Sequence, residues 1–358
     1  MSENIKLNRT VIQSISLVNF RKHKKREIKT NNGINIIIGR NASGKTSILE
    51  AIYLASLTKS YKTNTDAELI SYEEVFLSVE IKTLNRSFLI TISDKGKTVS
   101  INRLPKEKMS DFIGELNIVM FSPEDLFLIN TGPAERRKFI DVEIAKYDKL
   151  HIIALNNYKK ILRQRNELLK GAETRFDRSY LKVLSEALTE QGQKINQNRA
   201  SFCKLLNEEL KKISIKRPLD EFYQIKIKKN YSEAWEDVLR LKENNDIMLH
   251  NTGYGPHRDD LVIFINGKEA RSFASIGQQK TCLLTIKRAI IEILTEIKKE
   301  KPVFLLDDVF SELDKERQEM IIEETKEMQA FITATNLEGF TKEFLKDAIV
   351  IDLNKEEI

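Results

Sequence analysis

The chain has 358 residues, 41% of them hydrophobic and 31% charged, with a net charge of +6. That length predicts two domains or one large one, with room for a sizeable core and no need of covalent staples. Two distant cysteines, Cys203 and Cys282, exclude a disulfide framework or zinc ribbon, and every apolar run falls far short of the roughly 20 residues that span a bilayer.

The first 120 residues read mostly as strands, preceded by a polar Met1 to Thr10 that shows no secretory signal; a cytoplasmic location is expected. Val11 to Asn19 alternates in part, with Val11, Ile15 and Leu17 on one face. Val75, Leu77, Val79 and Ile81 share a face, and Phe88, Ile90 and Ile92 follow the turn-like Thr83-Leu84-Asn85. A period of two predicts half-buried antiparallel strands. Ile34 to Ile38 is instead a continuous apolar run, as in a strand covered on both faces. From about Pro123 to Lys242 the pattern turns helical. Leu181, Leu184, Leu188, Ile195, Phe202, Leu205 and Leu210 form a stripe read as core, with Lys194, Arg199 and Lys204 on its wet side. Pro218 interrupts it. Strands return after Asn251, at Asp260 to Asn266. A helix is predicted from Gln278 to Lys298, a strand from Pro302 to Asp307 and a helix from Asp314 to Met328. Two last strands follow, Ala330 to Thr335 and Ala348 to Leu353. Sheet, helical insert, sheet implies one discontinuous α/β domain, residues 1–121 with 250–358, carrying an all-helical lobe over 122–249.

The charge is uneven. From His151 to Lys229 there are 18 Lys and Arg against 9 Asp and Glu, and Arg21 to Lys29 holds six basic residues and one acid. Such asymmetry points to a polyanion on one face, against the alternative of solvated helix faces.

Gly39-Arg40-Asn41-Ala42-Ser43-Gly44-Lys45-Thr46 matches G-x-x-x-x-G-K-[ST], fed by the strand Ile34 to Ile38 and followed by a helix from Ser47 to Leu57. Glycines let the backbone wrap a phosphate, and successive N–H groups with the helix N-terminus stabilise its charge. Lys45 is expected on the β- and γ-phosphates of ATP and the Thr46 hydroxyl on Mg²⁺. Val303-Phe-Leu-Leu-Asp307-Asp308 supplies the matching carboxylates, since buried strands seldom end in paired acids without a reason. Asp307 would face the metal, and Asp308 would orient or deprotonate the attacking water. Lys45 and Asp307 are 262 residues apart, far longer than in compact GTPases or small-molecule kinases.

Three further segments narrow the class. Ser275-Ile276-Gly277-Gln278-Gln279 looks like the S-x-G-Q signature of ABC-type ATPases, Ser311-Glu-Leu-Asp314 looks like the D-loop, and Ile332-Thr-Ala-Thr335-Asn336 stands where transporters carry a switch histidine. Within that class the chain resembles the bacterial RecF family nearly end to end. The resemblance rests on Leu17-Val-Asn-Phe20-Arg21 and Phe121-Ser-Pro-Glu-Asp125-Leu126. It extends through Gly132-Pro-x-x-Arg136-Arg137-x-Phe139-Ile-Asp141, Gly255-Pro-His257-Arg258-Asp259-Asp260-Leu261 and Leu305 to Asp314. Ile276 departs from the family pattern, where Gln or Gly is more usual.

The resemblance implies an ABC-type P-loop ATPase head related to SMC proteins, a mixed sheet with helices, carrying a helical second lobe. It implies an ATP-dependent DNA-binding protein of gap repair, replication restart and the SOS response, acting with RecO and RecR and hydrolysing ATP slowly. An SMC-like chromosome ATPase is the nearest alternative and a transporter ATPase subunit a more distant one. A signature loop serves only when a second subunit presents it, so Ser275, Gly277 and Gln278 imply an ATP-dependent homodimer. Arg21 is expected either at the nucleotide or on DNA phosphate, and Arg136 and Arg137 either on DNA or bracing the helical lobe against Asp141. His257, Arg258 and Asp259 are read as structural.

Overall fold

The structure, a computed structural model, describes residues 8–171, 177–216, 221–308 and 315–354. They fall into two compact units, 1–125 with 287–358, and 126–286.

The first unit is built on two sheets. One is antiparallel and six-stranded: β2 (Ile12–Phe20), β3 (His23–Lys29), β5 (Phe76–Thr83), β6 (Ser87–Ser93), β7 (Gly96–Ile101) and β8 (Leu104–Pro105), in the order β3-β2-β5-β6-β7-β8. The register of β2 against β5 shifts between Ile12 and Ser14, and this irregularity turns Ile12 and Ile15 to the same interior although they are three apart. Val75 precedes the strand and is 73% exposed, so only Leu77, Val79 and Ile81 of its expected face enter the core. The other sheet is parallel: β4 (Ile34–Ile38), β9 (Ile118–Phe121), β14 (Val303–Leu306), β15 (Ala330–Ala334) and β16 (Ala348–Asp352), in the order β16-β4-β15-β14-β9. A short parallel pair, β1 (Asn8–Arg9) with β13 (Glu300–Lys301), lies outside both sheets.

Helix α1 (Lys45–Leu57) shares one core with both sheets. Ten of its thirteen residues are buried, because a helix between two sheets has no face left for water. The unit also holds α10 (Lys315–Thr325) and α11 (Lys342–Lys346), the latter capped by the Thr341 hydroxyl.

The second unit holds α2 (Phe127–Asn130), α3 (Pro133–Ala145), α4 (Lys149–Lys170), α5 (Arg178–Lys216), α6 (Trp235–Leu241), α7 (Glu243–Met248), α8 (Ala270–Phe273) and the start of α9 (Ile276–Lys298). Pro133 opens α3 where its missing N–H costs nothing, and Asp148 caps α4 through the N–H groups of Leu150 and His151. A three-stranded antiparallel sheet joins them: β10 (Tyr223–Lys228), β11 (Asp260–Ile265) and β12 (Lys268–Glu269). The strand β10 falls within the segment expected to be all helical. Its Tyr-Gln-Ile-Lys-Ile-Lys run alternates, but it is too short to stand out beside the long helical stripes.

The stripe on α5 is core at Leu181, Leu184, Leu188, Ile195, Phe202 and Leu210, with Leu206 buried where Leu205 was expected. Arg199 is a correction. It is 4% exposed and grips Asp141 with Nε and Nη2, each at 2.8 Å, while Nη1 donates to the Pro256 carbonyl. Arg199, not Arg136 or Arg137, therefore braces Asp141. Arg136 forks onto Asp260 at 2.7 and 2.9 Å, and Arg137 donates to the Asp259 carbonyl. Pro218 lies outside the described residues.

Candidate nucleotide-binding site

The strands β4, β15 and β14 run parallel and adjacent, so the segments leaving their C-terminal ends gather at one edge of the sheet. From β4 comes the glycine loop, from β14 the paired acids, and from the end of β15 Thr333.

In the loop, Gly44 has φ +96° and caps α1 without a side chain. No acid stands in the first turn, so its N–H groups face a region suited to an anion. A Cβ at Gly44 would stand 2.5 Å from His23 Nε2, a second reason for glycine there. Ala42 also has positive φ, +62°, unusual for a residue with a side chain. The Ser43 hydroxyl is buried with no partner, an orphaned donor within the loop that fits a phosphate oxygen. Lys45, 7% exposed, turns its ammonium back onto the carbonyls of Gly39 at 2.7 Å and Arg40 at 3.2 Å. Arg40, Asn41 and Ala42 form the exposed lip, and Ser47 is half-buried beyond Thr46.

The two motifs meet. The Thr46 hydroxyl donates to Asp307 Oδ1 at 2.9 Å across 261 residues of chain. Asp307 is 3% exposed and takes two more donors, Thr333 Oγ1 on Oδ1 at 2.8 Å and Tyr61 on Oδ2 at 2.9 Å. Lys62 Nζ stands 3.8 Å from the same carboxylate. Burial, and then the Asp307 charge, hold the Tyr61 phenol protonated far above its ordinary range. An oxygen pair from Thr46 and Asp307 suits Mg²⁺, a hard cation that is held by few protein oxygens beside the phosphates. Asp308 has positive φ, +47°, and its N–H donates to Thr333 Oγ1 at 2.8 Å.

Other expected residues make contacts of their own. Arg21 directs Nε and Nη2 to Glu50 at 2.9 and 2.7 Å and Nη1 to the Glu68 carbonyl, and the bond to Glu50 keeps its guanidinium firmly protonated. Arg21 therefore ties the turn after β2 to α1. Ser275, Gly277 and Gln278 belong to the second unit. There Ser275 Oγ accepts the Gln278 N–H at 3.2 Å while Gln278 Oε1 accepts the Ser275 N–H at 2.9 Å, a reciprocal cap at the start of α9. Phe273 and Ile276 flank it, each 69% exposed. Ser311-Glu-Leu-Asp314 lies outside the described residues. Thr335 and Asn336 are exposed, and Asn336 bonds with Glu338. His257 is structural: its Nε2–H donates to the Thr252 carbonyl, so Nδ1 accepts from the Tyr158 hydroxyl at 2.8 Å. Burial lowers the His257 pKa to about 4, which keeps the ring neutral.

Sequence reasoning missed Tyr61, Lys62 and Thr333. Only Thr333 leaves a signal, as a lone hydroxyl inside the buried run of β15. Among the described residues no helix is long and apolar enough to cross a membrane, and no cluster of three or more His, Cys, Asp or Glu could hold a metal.

Residues 11–355 match the RecF/RecN/SMC N terminal domain. The chain is 40% identical over 341 residues to the DNA replication and repair protein RecF of Streptococcus pneumoniae (strain P1031), covering 91% of this chain and 93% of the relative. It is 40% identical over 354 residues to the protein of the same name from Streptococcus suis (strain 05ZYH33), covering 95% and 96%. A solved structure described as the recombination mediator protein RecF with ATP, in the RecFOR pathway, aligns with a TM-score of 0.87 at 30% identity, covering 95% of this chain and 96% of that one.

Proposed function

The chain belongs to the RecF family of DNA replication and repair proteins, and on that footing we propose that it is an ATP-driven recombination mediator that closes into a homodimer on DNA. It is an ABC-type ATPase by fold and motif. The observation that carries the reading is the hydrogen bond between Thr46 and Asp307, which brings the phosphate loop and the acid strand into one site.

Each residue then has a role. Backbone N–H groups of Gly39 to Thr46 cradle the phosphates, and Lys45 leaves its two carbonyl partners for the β- and γ-phosphate oxygens. Thr46 and Asp307 hold Mg²⁺, which when bound offsets charge on the phosphates. Asp308 orients water and accepts its proton as the water oxygen bonds to the γ-phosphorus and the bond from that phosphorus to the β–γ bridging oxygen breaks, releasing ADP and phosphate. Ser275, Gly277 and Gln278 of a second copy complete the phosphate cage, so ATP binding shifts monomer to dimer. Hydrolysis is slow and reopens the dimer. The protein works in the cytoplasm at gaps with RecO and RecR, which fits the pathway named for its ATP-bound relative.

DNA is held mainly through phosphates. The basic excess between His151 and Lys229 and the run from Arg21 to Lys29 support this, and roughly four to eight contacts per dimer are expected. By reciprocity, DNA tightens ATP binding by the factor by which ATP tightens DNA. The test is a salt titration of the ATP-bound protein on two unrelated duplexes of equal length. The logarithm of affinity should fall linearly with the logarithm of salt, with a slope near −0.9 per contact and equal values for both duplexes. A flat response overturns the phosphate reading, and a large difference between duplexes overturns the absence of base readout.

A further inference from the structure

The basic run from Arg21 to Lys29 passes through a turn into the strand β3, at the edge of the antiparallel sheet with β2 as its neighbour. Lys24, Lys25, Glu27 and Lys29 are exposed, Arg26 is half-buried, and His23 and Ile28 are buried. Lysines along an edge strand also keep it from pairing with another sheet. That role, however, places no demand on what the inward residues touch.

The inward residue His23 touches the phosphate loop. It is 7% exposed, and its Nε2 lies 3.1 Å from the carbonyl oxygen of Gly44. A carbonyl can only accept, so Nε2 carries the proton and donates. The same carbonyl accepts the Ile48 N–H at 3.3 Å in the first turn of α1. His23 therefore grips the residue that caps α1, between Ser43 and Lys45. The packing is as close as the bonding, since a Cβ on Gly44 would stand 2.7 Å from His23 Cε1 and 3.3 Å from Lys22 Cδ. One short strand thus presents cations to solvent and, through its first residue, holds the Gly44 peptide.

We propose that His23 is a positioning residue that couples polyanion binding on β3 to nucleotide binding in the phosphate loop. Phosphates of a duplex engaging Lys22, Lys24, Lys25 and Lys29 fix the position of β3. Through the His23 bond they fix the Gly44 carbonyl and so the aim of the loop N–H groups. The inference rests on the DNA-binding reading above and supplies a path by which the two ligands sense each other.

The experiment measures the affinity of the full chain for a fluorescent ATP analogue, with and without saturating 30-bp duplex, in the native protein, His23→Leu and His23→Gln. In the native protein the duplex should tighten the analogue by about 5-fold or more, the lower end of typical coupling. His23→Leu keeps the bulk and loses the donor. It should bind the analogue without DNA within about 3-fold of native, while its coupling factor falls to about one. The amide nitrogen of His23→Gln can reach the same carbonyl and should restore the factor, which a merely structural role would not require. A His23→Leu protein with the native factor overturns the inference. So does a Lys24→Gln/Lys25→Gln pair, altered only at exposed positions, that keeps the native factor; this pair decides the matter if His23→Leu does not fold. A native factor of one overturns the coupled ATP and DNA reading itself, before His23 is considered.

Discussion

Thr333 donates its hydroxyl to Asp307 Oδ1 at 2.8 Å from the neighbouring parallel strand, and Thr333 Oγ1 in turn accepts the Asp308 N–H. One hydroxyl thus fixes both acids of the site: the side chain of the first and the backbone of the second.

Thr333→Val keeps the shape of β15 and removes that oxygen. Asp307 loses one of its donors and the Asp308 N–H loses its partner, so stability should fall by about 1–3 kcal/mol. Affinity for Mg²⁺-ATP should drop by about tenfold, and Thr333→Ser should recover most of both. Urea unfolding and titration calorimetry check the two effects separately; a Val variant equal to native in both would remove Thr333 from the site.

Lys45→Met removes the only side-chain cation of the loop beyond its lip residue Arg40, and it should abolish ATP binding and ATP-dependent dimerisation together. Asp308→Asn should behave oppositely. It retains ATP, holds the dimer closed, and hydrolyses about 10²-fold or more slowly. Sedimentation with ATP, read beside phosphate release, separates the two; faster turnover or a monomer in Asp308→Asn contradicts its assigned role.

Gly192 lies within α5, where a Cβ would stand 2.4 Å from Trp235 Cζ2. Alanine normally favours a helix over glycine by about 1 kcal/mol. Here the crowding reverses the sign: Gly192→Ala should destabilise by about 1–3 kcal/mol. Trp235 also donates to the Thr189 carbonyl at 2.8 Å, so its fluorescence should report the shift during denaturation.

Asp259 is 1% exposed, and burial raises its pKa to about 6 against the pull of Arg199, Lys229 and Arg137. The folded chain holds this proton more tightly than the unfolded chain. Its contribution to stability is therefore full below about pH 4 and is lost as the pH rises through about 6. Between pH 4 and pH 7 the stability difference should move by about 1–3 kcal/mol in favour of Asp259→Asn, read from melting curves at each pH.

The α/β head was legible because its parts are local. Ile34 to Ile38 needs only its own run to read as a buried strand, and the glycine loop and Asp307-Asp308 carry their chemistry in consecutive residues. Tyr61 and Lys62 were not legible. They follow α1 in a stretch without periodicity, and only the fold brings them to Asp307. Arg199 misled for a related reason: four after Ile195 and three before Phe202 it sits on the buried stripe, but its charge reads as wet because its partners Asp141 and Pro256 are 58 and 57 positions away. Charge at helical spacing tells which way a side chain leaves its own helix, and nothing of what meets it there.

The burial of α1 on all sides restricts how the loop at its head can vary over evolutionary time. A substitution within α1 must answer to two sheets at once, so drift there requires compensating change on both. Arg40, Asn41 and Ala42 answer to neither, being exposed. Divergent sequences that keep this fold should therefore differ first at that lip, and tuning of nucleotide preference should proceed there without disturbing the frame beneath.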